Sequence, residues 1–212
     1  MRTGALLLIV LIGVGGANAQ EAASKGMPPR ASAADYQAHA LAGKITIAAE
    51  FTGHGVPTPQ LVLSSEDYIG VEVGLFGPAG ERLQVSNADF SVRINGKKLP
   101  SPAQLVGAIY KSLKDPEWVS PDAVAAKESK GGLSTGGGGA NQNDGPPPPV
   151  HVPIALERTW QDYAKRASLP EGERPLPQAG LLFFEYKGKL ATIHSLELIY
   201  SGPAGKVTLP LQ

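Results

Sequence analysis

Apolar and polar residues alternate along several short stretches of the chain, with the period of a strand that has one buried face. In residues 45–51 the odd-numbered positions are apolar, while Thr46 and Glu50 are polar. In residues 68–76 an isoleucine, two valines and a leucine share one face. We predict strands at both places, and the same pattern predicts further strands at 83–85, 90–94, 181–186, 196–200 and 207–211.

Two of these strands depart from simple alternation. Residues 181–186, LLFFEY, are apolar on both faces as far as Glu185, which indicates a strand in the centre of a sheet. In residues 68–76 the second face carries Gly70 and Gly74 on either side of Glu72. Since glycine has no side chain, this face either packs weakly or leaves room for another segment to cross closely.

Helical spacing predicts two short helices. In residues 101–115 a Ser-Pro pair suits a helix start, apolar residues recur every four positions from Leu105, and an Asp-Pro pair ends the pattern. In residues 160–169, Trp160 and Tyr163 begin an i, i+3, i+4, i+7 pattern that ends at a Leu-Pro pair. We expect Trp160 and Tyr163 to lie on the buried face of the second helix.

Turn residues separate the predicted strands. Asn95-Gly96 is the strongest two-residue hairpin signal in the chain, because both residues tolerate positive φ. The tetrapeptide GPAG occurs at 77–80 and again at 202–205. We interpret this repeat as the same turn chemistry used twice, since the flanking strands differ.

The periodicity disappears in residues 116–150, which contain the stretch STGGGGANQNDGPPPPV. Neither a glycine run nor a proline run suits a packed core, because glycine loses the most backbone entropy and polyproline has no internal hydrogen bonds. This segment is either a linker between two domains or a long disordered insertion in one. About four strands precede it and three follow, and each set alone would leave an apolar face uncovered. We therefore predict one domain over 36–212, an immunoglobulin-like antiparallel sandwich of about seven strands.

The N-terminus has the features of a secretory signal peptide. Arg2 is followed by an apolar run of about ten residues, which is too short to span a bilayer, and by a small-residue pattern ending at Ala19. The alternative is a buried N-terminal strand or helix. We predict a signal peptide over 1–19, cleavage between Ala19 and Gln20, and a flexible segment over 20–35.

The amino-acid composition excludes several kinds of chemical site and partner. The chain has no cysteine, which excludes disulfides, thiolate metal sites and cysteine nucleophiles. Its 19 Lys and Arg residues balance 19 Asp and Glu residues without a basic stripe, so we expect neither nucleic acid nor an anionic membrane surface as partner. No stretch after the signal reaches the roughly 20 apolar residues of a membrane helix, so we expect a soluble mature protein without a transmembrane segment.

Residues with catalytic or metal-binding side chains are dispersed. The four histidines show no ligand spacing: His39, His54, His151 and His194. Nucleophile-elbow, zinc-protease and phosphate-loop motifs are absent. The carboxylates most relevant to a catalytic pair are also scattered: Glu66, Asp67, Glu72, Glu171, Glu173 and Glu185. We predict no catalytic residue, no cofactor and no metal site, although two distant carboxylates can meet in a fold to form a glycosidase-type pair.

One aromatic residue is a candidate for docking. Trp118 lies between Pro116 and Pro121, outside any periodic element. An exposed tryptophan in such a segment can anchor a partner, whereas the alternative is that it folds back onto the edge of the core.

A series of strand sequences resembles a known family. YIGVEVGLFGP at 68–78 and SNADFSVRINGK at 86–97 are followed by AGLLFFEY at 179–186 and LELIY at 196–200. This order is similar to that of small exported bacterial immunoglobulin-like β-sandwich domains of unknown function, in which an Asp-Phe strand ending in Gly precedes a late Gly-apolar-apolar-Phe strand. The resemblance covers roughly residues 60–200. It implies the fold and supplies no catalytic residues.

These observations favour an exported, non-enzymatic module, periplasmic or secreted, that binds another envelope protein or a surface polymer. A binder of a small ligand or metal, with a cleft between the helices and a sheet, is the main alternative. A hydrolase with a dispersed carboxylate pair is the third hypothesis.

Overall fold

The structure is a computed structural model of the chain and describes residues 26–121 and 152–212. The predicted signal peptide and the Ala19–Gln20 cleavage site lie outside the described residues. So does the part of the predicted insertion that follows residue 121, including the glycine and proline runs.

The described residues form a mainly β structure with antiparallel pairing between strands. The strands are β1 (Ala38–Ala42), β2 (Ile45–Gly53), β3 (Gly55–Pro57), β4 (Val62–Ser65), β5 (Tyr68–Phe76), β6 (Arg82–Val85), β7 (Phe90–Ile94), β8 (Ser101–Pro102), β9 (Leu113–Lys114), β10 (Gly172–Pro175), β11 (Gln178–Glu185), β12 (Leu196–Gly202) and β13 (Gly205–Pro210). Helix α1 spans Ile154–Ala167, and short 3₁₀ helices span Ala33–Asp35, Asn87–Asp89, Val106–Ser112 and Leu190–Thr192.

Two four-stranded sheets share one hydrophobic core. The first has the order β1-β2-β5-β11 and the second has the order β13-β12-β7-β8. Side chains from both sheets form a single buried cluster, to which β5 contributes Ile69, Val71, Val73 and Leu75 and β12 contributes Leu198. The predicted inward faces of these strands are therefore confirmed. Two smaller sheets, β10-β6 and β3-β4-β9, lie beside them.

A second hydrophobic cluster lies on the other face of the first sheet. There Leu181 and Phe183 of β11 pack with α1, with the 3₁₀ helix Val106–Ser112 and with the β3-β4-β9 sheet. Leu182 and Phe184 of the same strand point into the two-sheet core. The prediction that β11 is central in its sheet is wrong, because β11 is last in the strand order. It is apolar on both faces because each face lines a different cluster.

The first predicted helix is also only partly right. The 3₁₀ helix Val106–Ser112 replaces the predicted α-helix over 101–115. The Ser-Pro pair at its predicted start instead forms β8, which pairs with Ser91 and Val92 of β7. Proline is tolerated on such an edge strand because its missing N–H is not needed by a further neighbour. Gly107, which favours neither strand nor helix, weakens the α-helical preference of this stretch.

The turn predicted at Asn95-Gly96 is confirmed. Asn95 has φ 52° and Gly96 has φ 64°, and the Lys97 N–H donates to the Ile94 carbonyl at 3.1 Å. At GPAG 77–80, the Glu81 N–H donates to the Pro78 carbonyl at 3.0 Å, so Pro78 opens the turn rather than occupying its first central position. The second GPAG joins β12 to β13.

The N-terminal described segment crosses the first sheet. The Met27 N–H donates to the Ala179 carbonyl of β11 at 3.0 Å, and the Tyr36 ring covers Gly74. A Cβ at position 74 would lie 2.7 Å from this ring, so the glycine permits the close crossing that the sequence leaves open. The sequence predicts flexibility for 20–35, whereas residues 26–35 make specific contacts with the sheet.

No helix within residues 26–121 and 152–212 combines the length and apolar character that are needed to cross a bilayer.

Candidate functional site

The second hydrophobic cluster positions α1 against β11. Trp160, Ala164 and Ala167 recur at i, i+4 and i+7, so they form one buried stripe on the helix. The two alanines are small and allow the helix to approach the sheet, while Trp160 fills the space beside Phe183. The prediction that Trp160 lies on the buried face of this helix is confirmed, while Tyr163, which was expected beside it, is partly buried against the same cluster.

Backbone contacts fix the end of α1 to the sheet. The Leu169 N–H donates to the Leu181 carbonyl of β11 at 2.9 Å, directly after the helix ends. A Cβ at Gly180 would lie 2.5 Å from the Leu169 backbone, so only glycine allows this approach. The glycine in the sequence AGLLFFEY therefore marks the place where the helix is anchored.

A buried pair of hydroxyls holds the 3₁₀ helix Val106–Ser112 in place. The Oγ atoms of Ser65 and Ser112 are 2.6 Å apart, and the Ser112 hydroxyl also lies 3.1 Å from the Ile109 carbonyl. The Gln104 N–H donates to the Phe183 carbonyl at 2.7 Å. Because both ends of this segment are tied to strands, the 3₁₀ helix has a fixed position opposite α1.

A groove of about 310 Å³ runs between these two helical segments. We call it the helical groove. Its lining residues are Tyr110, Lys111, Leu113, Glu157, Trp160 and Gln161. Glu157 and Gln161 lie one helical turn apart on α1, on either side of Trp160 along the chain, so one face of the helix supplies all three.

The polar groups of the helical groove include both donors and acceptors. Burial raises the pKa of Tyr110, and the negative charge of Asp162 raises it further, so the phenol keeps its proton at neutral pH. The Lys111 ammonium donates, the Glu157 carboxylate accepts, and the Gln161 amide does both. The lining therefore presents hydrogen-bonding groups of both kinds around an apolar floor of Leu113 and Trp160.

Trp118, the sequence candidate for docking, lies next to this groove. Its ring contacts Trp160 edge to face, with ring centroids 6.3 Å apart and an interplanar angle of 79°. It is half-buried and packs against the second cluster, while the neighbouring Val119 is exposed. The ring thus folds back onto the edge of the core and keeps part of its surface in solvent.

A different constellation lies on the first sheet, where Glu50 of β2 and Glu72 of β5 are cross-strand neighbours. Arg30 forms ion pairs with both carboxylates, at 2.9 Å to Glu72, and its guanidinium lies 4.5 Å from the centre of the Tyr36 ring. Burial lowers the pKa of Arg30, whereas hydrogen bonds and attraction to Glu72 and Glu50 raise it, and the net shift is upward. We call these four residues the arginine clamp.

The Glu72 carboxylate of the arginine clamp is occupied by Arg30. Glu72 is buried beneath Arg30 and Tyr36, and its side chain is already satisfied by the guanidinium. Sequence reasoning considered Glu72 but did not consider Glu50, although Glu50 occupies a polar position of the alternating stretch 45–51. Placing Glu50 opposite Glu72 requires the register between β2 and β5, and the alternating pattern of the sequence does not determine that register.

Four of the other predicted carboxylates have partners of their own, and Asp67 takes part through its backbone carbonyl, which accepts from the Tyr186 N–H at 2.8 Å. Glu66 pairs with Lys114, Glu173 pairs with Arg82, and Glu185 pairs with Lys187. Glu171 accepts from the Asn87 N–H at 3.0 Å. The structure thus places these predicted carboxylates in separate contacts.

The histidines of the described segments are also separate. His54 stacks on Tyr186, and its two ring nitrogens lie 2.8 Å from the Tyr68 carbonyl and 3.2 Å from the Gly188 carbonyl. His39 and His194 are exposed, and His151 lies outside the described residues. Among the described residues, no three histidine, aspartate or glutamate side chains are placed to hold a metal ion.

Sequence reasoning missed most of the helical groove. The sequence predicts the buried position of Trp160 and a helical segment over 101–115, but Lys111, Glu157 and Gln161 carry no motif. The available signal was the i, i+4 spacing of Glu157 and Gln161 around the tryptophan.

No protein-family model, curated protein or solved structure matches this chain.

Proposed function

We propose that this chain is an exported, non-enzymatic binding module, in which an immunoglobulin-like sandwich carries the helical groove as its binding site. The partner is a macromolecule of the cell envelope, either a protein or a surface polymer. The observation that carries this proposal is the second hydrophobic cluster, which holds two helical segments apart on the outside of a sheet and leaves a polar-lined groove between them.

A binding role fits the chemistry of this groove better than catalysis does. Glu157 is the one carboxylate among the described residues that line the groove. General acid–base hydrolysis of a glycoside uses two carboxylates on opposite sides of the bond. The carboxylates of Glu50 and Glu72 are both held in ion pairs with Arg30, so the hydrolase hypothesis has little support from either place.

A small-ligand protein is the second candidate function. The volume of the helical groove, about 310 Å³, lies at the lower end of the range of small-molecule sites. The groove also lies between the two helical segments, close to where the sequence places a cleft. Under this alternative a free monomeric ligand would compete with any macromolecular partner.

Capture of a partner from envelope extract tests the proposal. The full chain is expressed with a C-terminal tag in a bacterial host, and the exported protein, expected to begin at Gln20, is immobilised. We expect a retained protein or polymer whose capture falls at least about fivefold in Lys111→Ala, as expected for loss of one charged hydrogen bond. Lys206→Ala, an exposed lysine on β13, is the matched control and should retain the partner. Equal capture by both variants, or capture by neither variant nor wild type, would contradict the proposal.

A further inference from the structure

The lining of the helical groove contains opposite charges that limit its ligands. Lys111 and Glu157 both line it, and the charge of Asp162 acts on Tyr110 nearby. A strongly anionic polymer would meet Glu157 and Asp162, whereas a strongly cationic one would meet Lys111. Because like charges at close range oppose binding, the groove favours a ligand without net charge.

The hydrogen-bonding groups of the groove match hydroxyl groups. A hydroxyl donates one hydrogen bond and accepts up to two, so it pairs equally with a donor or an acceptor. The Tyr110 phenol and Lys111 ammonium supply donors on one wall, and the Glu157 carboxylate and Gln161 amide supply acceptors on the other. Neighbouring hydroxyls on one ring could therefore be held from both walls at once.

The walls of the groove are less suited to a peptide. An extended peptide commonly adds to a free strand edge, but β9, which supplies Leu113 and is the last strand of the β3-β4-β9 sheet, offers an edge of two residues only. A helical peptide needs a continuous apolar groove with pockets at i, i+3 and i+4 spacing. Here Leu113 and Trp160 are the apolar members of a lining that is otherwise polar.

We propose that the helical groove binds a neutral carbohydrate, with the sugar hydroxyls held between Tyr110 and Lys111 on one wall and Glu157 and Gln161 on the other. This inference rests on the proposed function and narrows the partner to a neutral glycan polymer. The carbon–hydrogen face of a sugar ring packs on the partly exposed Trp118 ring beside the groove, since Trp160, which Trp118 contacts, is itself buried.

The protein has a built-in reporter for this site. The chain contains two tryptophans, and they contact each other beside the groove. A ligand that enters the groove therefore changes the surroundings of both tryptophans, and with them the tryptophan fluorescence of the protein. The experiment titrates the mature protein with cellohexaose, chitohexaose and maltohexaose as neutral probes, and with heparin and polylysine as charged probes.

We expect at least one neutral oligosaccharide to give a saturable change in tryptophan emission. Glu157→Gln should weaken this binding about fivefold to tenfold, the effect of losing a charged hydrogen bond. Arg158→Gln is the matched control, because this exposed residue neighbours Glu157 on α1 but does not line the groove, and its affinity should equal that of wild type. Gln161→Ala is a second lining variant, and thermal melts select variants that keep the wild-type fold.

Three results would overturn the carbohydrate inference: no saturable response to any neutral oligosaccharide, tighter binding of heparin or polylysine, or equal effects of Glu157→Gln and Arg158→Gln. If no neutral oligosaccharide gives a saturable response but the capture of an envelope protein still depends on Lys111, only the carbohydrate inference fails and the proposed binding function stands. Loss of both the saccharide response and the capture would remove both proposals.

Discussion

At the scale of single residues, the arginine clamp contains the most buried charged side chain among the ion pairs of the described residues. The Glu72 side chain is 8% exposed and its partner Arg30 is 31% exposed, so their ion pair is shielded from water on the carboxylate side. By contrast, Arg82 and Glu173 are 51% and 65% exposed. Exposed pairs contribute about 0–1 kcal/mol, whereas removing one partner of a buried pair leaves a costly unpaired charge.

We therefore predict that two arginine-to-methionine substitutions lower the free energy of unfolding by different amounts. Arg30→Met should lower the free energy of unfolding by about 2–3 kcal/mol, less than the full cost of breaking a buried pair because solvent reaches Arg30. Arg82→Met should change it by less than about 0.5 kcal/mol. Urea unfolding followed by circular dichroism measures both.

A second substitution tests whether the unpaired carboxylate causes the loss. Adding Glu72→Gln to Arg30→Met removes the buried charge, so the double variant should recover about 1 kcal/mol relative to Arg30→Met. If the double variant is instead less stable than Arg30→Met, the loss comes from packing against Tyr36 rather than from the charge.

At the scale of elements, β11 is the wall shared by two hydrophobic clusters. Phe183 and Phe184 are neighbours in sequence and both are buried, but they point to opposite faces of the strand. Phe184 packs in the two-sheet core, and Phe183 packs beneath α1 and the 3₁₀ helix. The helical groove is therefore attached to the sheets through β11, because this strand supports both helical segments.

The two phenylalanines should therefore give separable effects. Phe183→Ala and Phe184→Ala should each cost about 3–5 kcal/mol, as expected for a large core truncation. In native conditions, Phe183→Ala should shift tryptophan emission to longer wavelength, because it loosens the cluster that contains Trp160. Phe184→Ala should leave native emission unchanged. A red shift in Phe184→Ala alone would contradict this division of the core.

The alternating strands could be predicted from the sequence because burial on one face leaves a period of two. This holds for β2, β5, β7 and β12, whose inward residues match the pattern. The strand β1, AHALA, could not be identified because its inward positions are alanines and its outward Leu41 is 67% exposed, so the apolar contrast is reversed. The two-residue strands β8 and β9 are too short to show any period. The helical groove combines segments far apart in the chain, so its composition depends on tertiary packing.

At the scale of the whole molecule, both large sheets draw strands from each side of the segment that separates residues 121 and 152. The first sheet combines β1, β2 and β5 with β11, and the second combines β7 and β8 with β12 and β13. Separating the chain at this segment would remove one strand from the first sheet and two from the second. Each part would then expose apolar faces that its own strands cannot cover.

Expression of the two parts separately and together tests whether they form one folding unit. Neither 26–121 nor 152–212 alone should show a cooperative unfolding transition, because each lacks the core residues that the other supplies. Expressed together, they should associate and recover the circular dichroism spectrum of the intact chain. Trp118 and Trp160 lie on different parts, so association should also shift tryptophan emission to shorter wavelength as the two rings come together. Leu182→Asp in the second part places a charge in the core and should prevent association, which makes it the control for nonspecific binding. A cooperative transition in either part alone would show that the chain contains an independent domain, and the interleaved sheets would then not be required for folding.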